Sequence, residues 1–136
     1  MVIGIDFDGT CVSHEFPRVG IDIGAVPVLK ELLANGHSLI LWTMRSNGDK
    51  GNYLDDAINW FSENEISLYG IQTNPSQSSW TTSPKAYCQL YIDDAALGCP
   101  LLYGNFDENG IGKYFDRPHV DWKEVRKILV NKGIIK

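Results

Sequence analysis

The sequence has little that would mark a disulfide scaffold, a zinc site or a membrane protein. Its three cysteines, Cys11, Cys88 and Cys99, are odd in number and widely spaced, and no Cys-x-x-Cys pair occurs. With no histidine cluster beside them, they are expected to be reduced thiols in a cytoplasmic protein. No apolar run approaches the ~20 residues that a membrane helix needs, and the run at 2–5 is too short for a secretion signal. Basic residues are scarce: 12 Lys and Arg stand against 17 Asp and Glu, a formal charge of -5. That balance disfavours the phosphate backbone of nucleic acid, which is bound by an excess of Lys and Arg. Neither a nucleic acid nor a membrane is therefore expected as a partner. No internal repeat and no linker breaks the 136 residues. One globular domain spanning 1–136 is the expectation.

What the chain does have is concentrated at its start. Val2-Ile3-Gly4-Ile5 is an apolar run, and Asp6-Phe7-Asp8-Gly9-Thr10 follows at once. A short apolar run closed by glycine and polar residues reads as a buried strand. Asp6 and Asp8 then stand where the strand stops, and Gly9 lets the backbone turn. Two acids in one crevice repel each other unless a proton or cation intervenes. An acidic turn with no further role uses the same residue types, so the rest of the chain has to decide.

Further on, 11–22 reads as a loop or short flap. A helix follows, with Asp22 as cap, Pro27 in its first turn and Gly36 as its stop. Residues 38–42 form a second apolar strand ending at Thr43, and a polar loop over 45–51 leads to a second helix carrying Leu54, Ala57, Ile58 and Phe61. A third strand covers 68–72. The stretch 73–84, rich in Ser, Thr, Asn, Gln and Pro, is a loop, and Lys85 follows it. A fourth strand, 89–92, runs into Asp93-Asp94. A short fifth strand falls at 100–103, 104–119 is irregular, and a last helix opens at Asp121 with Glu124 in capping-box spacing. Alternating strands and helices predict a three-layer, Rossmann-like α/β fold with a mainly parallel sheet and helices on both faces. Right-handed crossovers bring all strand ends to one edge. Asp6, Asp8, Thr43, Asp93 and Asp94 all fall there, and Lys85 joins them if its loop folds over.

Carboxylates grouped around one point suit a hard cation such as Mg²⁺, which takes oxygen ligands together with substrate phosphate. A lysine and a threonine hydroxyl beside it suit the charged oxygens of a phosphoryl group. Asp6 can then act as a carboxylate nucleophile, and Asp8 can protonate the leaving oxygen and later activate water. Arg45, two residues past Thr43, is suited to a second anionic group of the substrate. An ordinary surface arginine fits the sequence as well.

In order, VIGIDFDGT, SLILWT, Lys85 and QLYIDD resemble the haloacid dehalogenase superfamily of phosphohydrolases. The resemblance covers residues 2–94. It implies that Asp6 is the nucleophile, Asp8 the acid and base, Thr43 the phosphate binder and Lys85 the charge stabiliser. Mg²⁺ would be held by Asp6, Asp93 and Asp94, with the backbone carbonyl of Asp8. Gly9, Thr10, Met44 and Arg45 flank these residues and are assigned to substrate binding. Lys85 follows a loop and does not open an obvious helix, which leaves Lys113 as a weaker substitute. The acid at Asp8 points to a phosphatase and away from a dehalogenase. Only 11–22 and 73–84 stand where relatives insert a cap domain, and each is too short to be one. A capless phosphomonoesterase is expected, acting on a small phosphorylated metabolite covered by loops or by a second copy in a homo-oligomer. The rivals are a signalling receiver domain, whose order of acids differs, and a non-catalytic binding module on the same fold. His14, His37 and His119 read as ordinary surface or turn residues, and Trp80 as a hydrophobic anchor.

Overall fold

A computed structural model describes residues 1–103 and 117–136 of the chain. Four parallel strands make the central sheet: β1 (Val2–Ile5), β2 (Ser38–Leu41), β5 (Gly70–Ile71) and β6 (Leu90–Ile92), in the order β5-β2-β1-β6. β1 is paired on both sides, Ile3 with Leu39 of β2 and with Leu90 of β6. This is the three-layer, mainly parallel α/β fold that the alternating pattern predicts.

The steps β1 to β2 and β2 to β5 run the same way across the sheet. Right-handed crossovers therefore place α1 (Ala25–Ala34) and α2 (Tyr53–Glu63) on one face. Their buried residues join Ile3, Ile5, Leu39 and Leu41 in a single core, and α3 (Trp122–Asn131) adds Trp122, Val125 and Leu129 to it. Phe7, fully buried, meets Trp60 edge-on at 5.6 Å and lies 6.1 Å from Phe61, closing this core under the end of β1.

The return step, β5 to β6, runs the opposite way and so crosses the other face. No α-helix forms in it: 72–89 is coil around one 3₁₀ turn, Gln77–Ser79. Ala86 and Cys88 from this strap pack on Ile40, with Val2, Trp42 and Tyr91 around them. Buried backbone without a helix must find partners elsewhere, and two amide side chains supply them. Gln77 donates to the carbonyls of Ser83 (3.1 Å) and Lys85 (2.9 Å) and accepts the Tyr87 N–H at 2.7 Å. Asn74 donates to the carbonyl of Tyr87 at 2.9 Å and accepts from the N–H and hydroxyl of Ser76. The loop expected over 73–84 is thus a strap laced by side chains, and it covers this face in place of a helix.

Helix starts follow their signals. Asp22 Oδ1 accepts the N–H groups of Gly24 and Ala25 at 3.1 and 2.8 Å, and Pro27 sits in the first turn. Asp121 accepts from Lys123 and Glu124, while its own N–H goes to the carbonyl of Pro100, so only half of a capping box is made. The polar loop after β2 holds a small hairpin, β3 (Asn47–Gly48) with β4 (Gly51–Asn52), that the sequence did not suggest. β7 (Leu101–Leu102) pairs antiparallel with β8 (His119–Val120) in a separate ribbon. The irregular stretch expected over 104–119 lies, as far as residue 116, outside the described residues. Neither 11–22 nor 73–84 carries an inserted domain. No helix among the described residues is long and apolar enough to cross a membrane.

One contact ties α3 to the end of β1. The buried indole of Trp122 donates from Nε1 to the carbonyl of Thr10 at 2.6 Å. Trp122→Phe keeps most of the apolar area but leaves that carbonyl without its donor. Stability should fall by about 1–3 kcal/mol, the usual effect of stranding a buried polar group. Urea unfolding checks it, and a change within about 0.5 kcal/mol would show that the bond does not hold the loop.

Candidate active site

The strand ends bring Asp6, Asp93 and Asp94 together: one carboxylate oxygen from each lies within 4.8 Å of the others. Thr10 links the two strands that carry them. Its hydroxyl donates to Asp6 Oδ2 at 2.7 Å and accepts the N–H of Asp94 at 3.0 Å; Asp94 Oδ1 lies further off, at 3.4 Å. Thr10 is completely buried. It therefore does not bind substrate, as its position in the motif suggested, but holds the acids in place.

Gly9 has a similar part. Its φ is +78°, and a Cβ there would stand 2.0 Å from His14 Nε2 and 2.6 Å from Asp94 Oδ2. Its N–H is already used on the carbonyl of Val12 at 2.7 Å. Gly9 makes room for His14, and substrate binding is not its role. His14 Nε2 lies 3.0 Å from Asp94 Oδ2 with its side chain 11% exposed, so it is part of the site and not an ordinary surface histidine. Apart from its closeness to the motif, no sequence signal marks it. His119, expected at the surface, is buried; His37 bridges the N-terminal amine and the carbonyl of Ile134.

The largest departure concerns Arg45. It is 3% exposed, and its guanidinium grips Asp8 with two bonds, Nε to Oδ2 at 2.7 Å and Nη2 to Oδ1 at 2.8 Å. The other donor contacts go to the carbonyls of Pro17, Arg18 and Tyr53, at 3.3, 2.8 and 3.3 Å. Phe7 and Phe16 flank its plane, each ring centre 5.1 Å away. A guanidinium so enclosed has nothing left for a substrate anion, which corrects its assignment as a substrate binder. The planar fork matches a carboxylate two-pronged. Asp8 is thereby drawn out of the acidic cluster formed by its neighbours.

Thr43 and Met44 follow β2 as expected. The Thr43 hydroxyl accepts the N–H of Arg45 at 3.1 Å. The Gln72 side chain accepts the N–H of Thr43 at 2.9 Å and donates to its carbonyl, standing in for a neighbouring strand. Met44 is 97% exposed. The strap does fold over: Lys85 and Asp6 line one cavity of about 280 Å³, and the Lys85 ammonium lies 5.4 Å from the centre of the Tyr91 ring. Lys113 lies outside the described residues. Trp80 is 62% exposed, packs edge-on against Tyr87 at 5.4 Å and does not line that cavity.

Burial, opposed by the Thr10 hydrogen bond and reinforced by the charge of Asp93, pushes the Asp6 carboxyl up to about 8 from an ordinary 3.8. Asp93 is raised too, by burial first and by Asp94. Among the described residues, the basic side chain within hydrogen-bond distance of these three acids is His14, at Asp94. Three crowded oxygens with so little positive charge beside them, and no soft donor in the set, fit a hard divalent cation.

No family model and no curated protein matches the chain. A solved structure does, that of a conserved protein from Bacteroides thetaiotaomicron. It is 31% identical over 97% of this chain and 91% of that one, with a TM-score of 0.73. The chain belongs to the family of that protein.

Two predictions follow from the electrostatics. The folded value of Asp6 lies above the unfolded one, so folding takes up a proton between about pH 4 and 8. That contribution is complete below about pH 4 and is lost as pH rises through 8. In chelator, Asp6→Asn should therefore melt close to the parent at pH 4 and clearly above it at pH 8.5; equal melting at both would mean that Asp6 is not strained when charged. Arg45→Met removes one partner of an enclosed ion pair and should destabilise by about 3–5 kcal/mol in urea. A loss below about 1 kcal/mol would show Asp8 to be solvated without it.

Proposed function

We propose that the chain is a Mg²⁺-dependent phosphomonoesterase of the haloacid dehalogenase type. The observation that carries this reading is the convergence of Asp6, Asp93 and Asp94 within 4.8 Å at one sheet edge, where Lys85 lines the same cavity as Asp6. Asp6, Asp93 and Asp94 would hold the ion, which when bound neutralises charge on the phosphoryl oxygens and keeps Asp6 ionised. Asp6 attacks phosphorus, the phosphorus–oxygen bond to the alcohol breaks, and an aspartyl phosphate forms. Lys85 faces the charge that builds on the phosphoryl oxygens, and the Thr43 hydroxyl offers its proton to them. Asp8 gives a proton to the leaving alcohol and takes one from the water that then hydrolyses the acyl phosphate. Arg45 occupies one lone pair on each Asp8 oxygen; the others remain for that proton. The free cysteines suit a reducing, cytoplasmic setting.

A specific observation favours a second reading. An Asp8 held this tightly by Arg45 would also suit a module that captures phosphate without turning it over. Hydrolysis of phenyl phosphate and of an alkyl phosphate in Mg²⁺, with Asp6→Asn as blank, separates the two. Turnover should appear with Mg²⁺, vanish in chelator and in Asp6→Asn, and return poorly with Ca²⁺, whose looser coordination misplaces the nucleophile. Asp8→Asn should lower alkyl phosphate turnover far more than phenyl phosphate turnover, since a good leaving group needs little protonation. An equal fall removes Asp8 as the acid. No turnover of either ester by the parent protein leaves the binding module.

A further inference from the structure

The face of the sheet without helices is where Asp6 is reached. Two cavities of about 280 and 290 Å³ meet it there, and Asp6, Trp42 and Asp93 line both. Tyr91 walls the first and Met44 the second. Tyr91 is fixed at both ends. Its ring lies over Gly4, where a Cβ would come within 2.9 Å of Cδ1, and its hydroxyl donates to the carbonyl of Ala86 at 2.6 Å. Trp42 is half-buried against Ile40 and the strap. The walls beside Asp6 are thus an indole and a phenol ring packed against the strap, with the exposed Met44 at the edge of the second cavity.

The polar groups there are mostly committed. The Gln72 amide is paired with the backbone of Thr43. Arg45 is turned to Asp8, which leaves Lys85 as the cation among the described residues lining these cavities. One lysine and the acid cluster suit one phosphoryl group. A sugar or polyol would bring hydroxyls that find few partners on these walls, and unpartnered polar groups weaken binding. A flat apolar group would find an aromatic surface on which to stack. A larger concavity of about 410 Å³ beside α2, lined by Ile58, Phe61 and Ile66 with Ser62, Ser67 and Glu65, has no cation in its lining to face a phosphoryl group.

Resting on the phosphomonoesterase reading, we propose that the substrate is the monophosphate ester of an aromatic or similarly flat alcohol, its ring stacked on Trp42, and not a sugar or polyol phosphate. Calorimetric titration of the whole protein in Mg²⁺ with two non-hydrolysable probes, benzylphosphonate and 2-hydroxyethylphosphonate, tests this without relying on turnover. Benzylphosphonate should bind about tenfold more tightly, the scale of one good aromatic contact. Trp42→Leu should bring the two within about twofold. Since Trp42 also packs on the strap, Met44→Ala serves as a second variant that cannot disturb the core, and it should narrow the gap partway. Equal affinities in the parent protein, tighter hydroxyethylphosphonate or no binding of either would overturn the proposal. If the affinities are equal while phenyl phosphate is hydrolysed through Asp6, the aromatic specificity falls and the phosphatase stands. If benzylphosphonate is preferred while no ester turns over, the aromatic site stands and the phosphatase falls.

Discussion

Three carboxylates held within 4.8 Å repel one another, and much of the chain around them works against that repulsion. The Thr10 hydroxyl gives its proton to Asp6 and takes the N–H of Asp94, so a single buried group fastens the end of β1 to the end of β6. His14 leans on Asp94 in the space that Gly9 leaves. Trp122 fixes the carbonyl of Thr10 from α3. None of these contacts discharges the cluster: Asp6 remains raised to about 8 by its burial. A carboxyl raised so far within a cluster of acids is the kind of group that marks a candidate functional site.

The sheet's two faces divide the remaining work. Crossovers of one hand place α1 and α2 on a single face, α3 joins them, and the main hydrophobic core lies there. The other face carries only the 72–89 strap and the small cluster of Ile40, Ala86 and Cys88. A helix packed there would cover Trp42 and Tyr91. A coil stitched by Gln77 and Asn74 leaves them lining cavities while still bringing Lys85 to Asp6. Stability and access are thus assigned to opposite sides of the same four strands.

Much of this was legible in the sequence, and for local reasons. The runs 2–5, 38–42 and 89–92 were apolar, closed by polar residues and short, and each is a strand of the sheet. Asp22 and Asp121 cap helices because their side chains reach N–H groups two and three residues on, a rule of near neighbours. What escaped depends on distance along the chain. Arg45 and Asp8 are 37 residues apart, and His14 and Asp94 are 80 apart. Nothing in the spacing of a single sequence tells a buried arginine in a loop from a solvated one. The strap escaped for a related reason: Gln77 and Asn74 look like loop residues, and only the fold reveals that they replace a helix's hydrogen bonds. Thr10 and Gly9 lie beside the acid cluster, but the Thr10 hydroxyl and the Gly9 N–H are engaged by protein groups, which sequence position does not reveal.

The separation of Asp8 from its neighbours is the part of the site with the clearest chemical logic. Left beside Asp6, a fourth carboxylate would add to the repulsion and compete for the same cation. Arg45 prevents this by binding both its oxygens, and the guanidinium is itself fixed by the carbonyls of Pro17, Arg18 and Tyr53. Those three carbonyls come from the flap and from the first residue of α2, so the orientation of Asp8 depends on both segments. Two carboxylates two residues apart are thereby given opposite surroundings. Asp6 is buried among negative charge, whereas Asp8 lies against a positive one. Here the difference arises from a single enclosed arginine, Arg45, bound to both oxygens of Asp8.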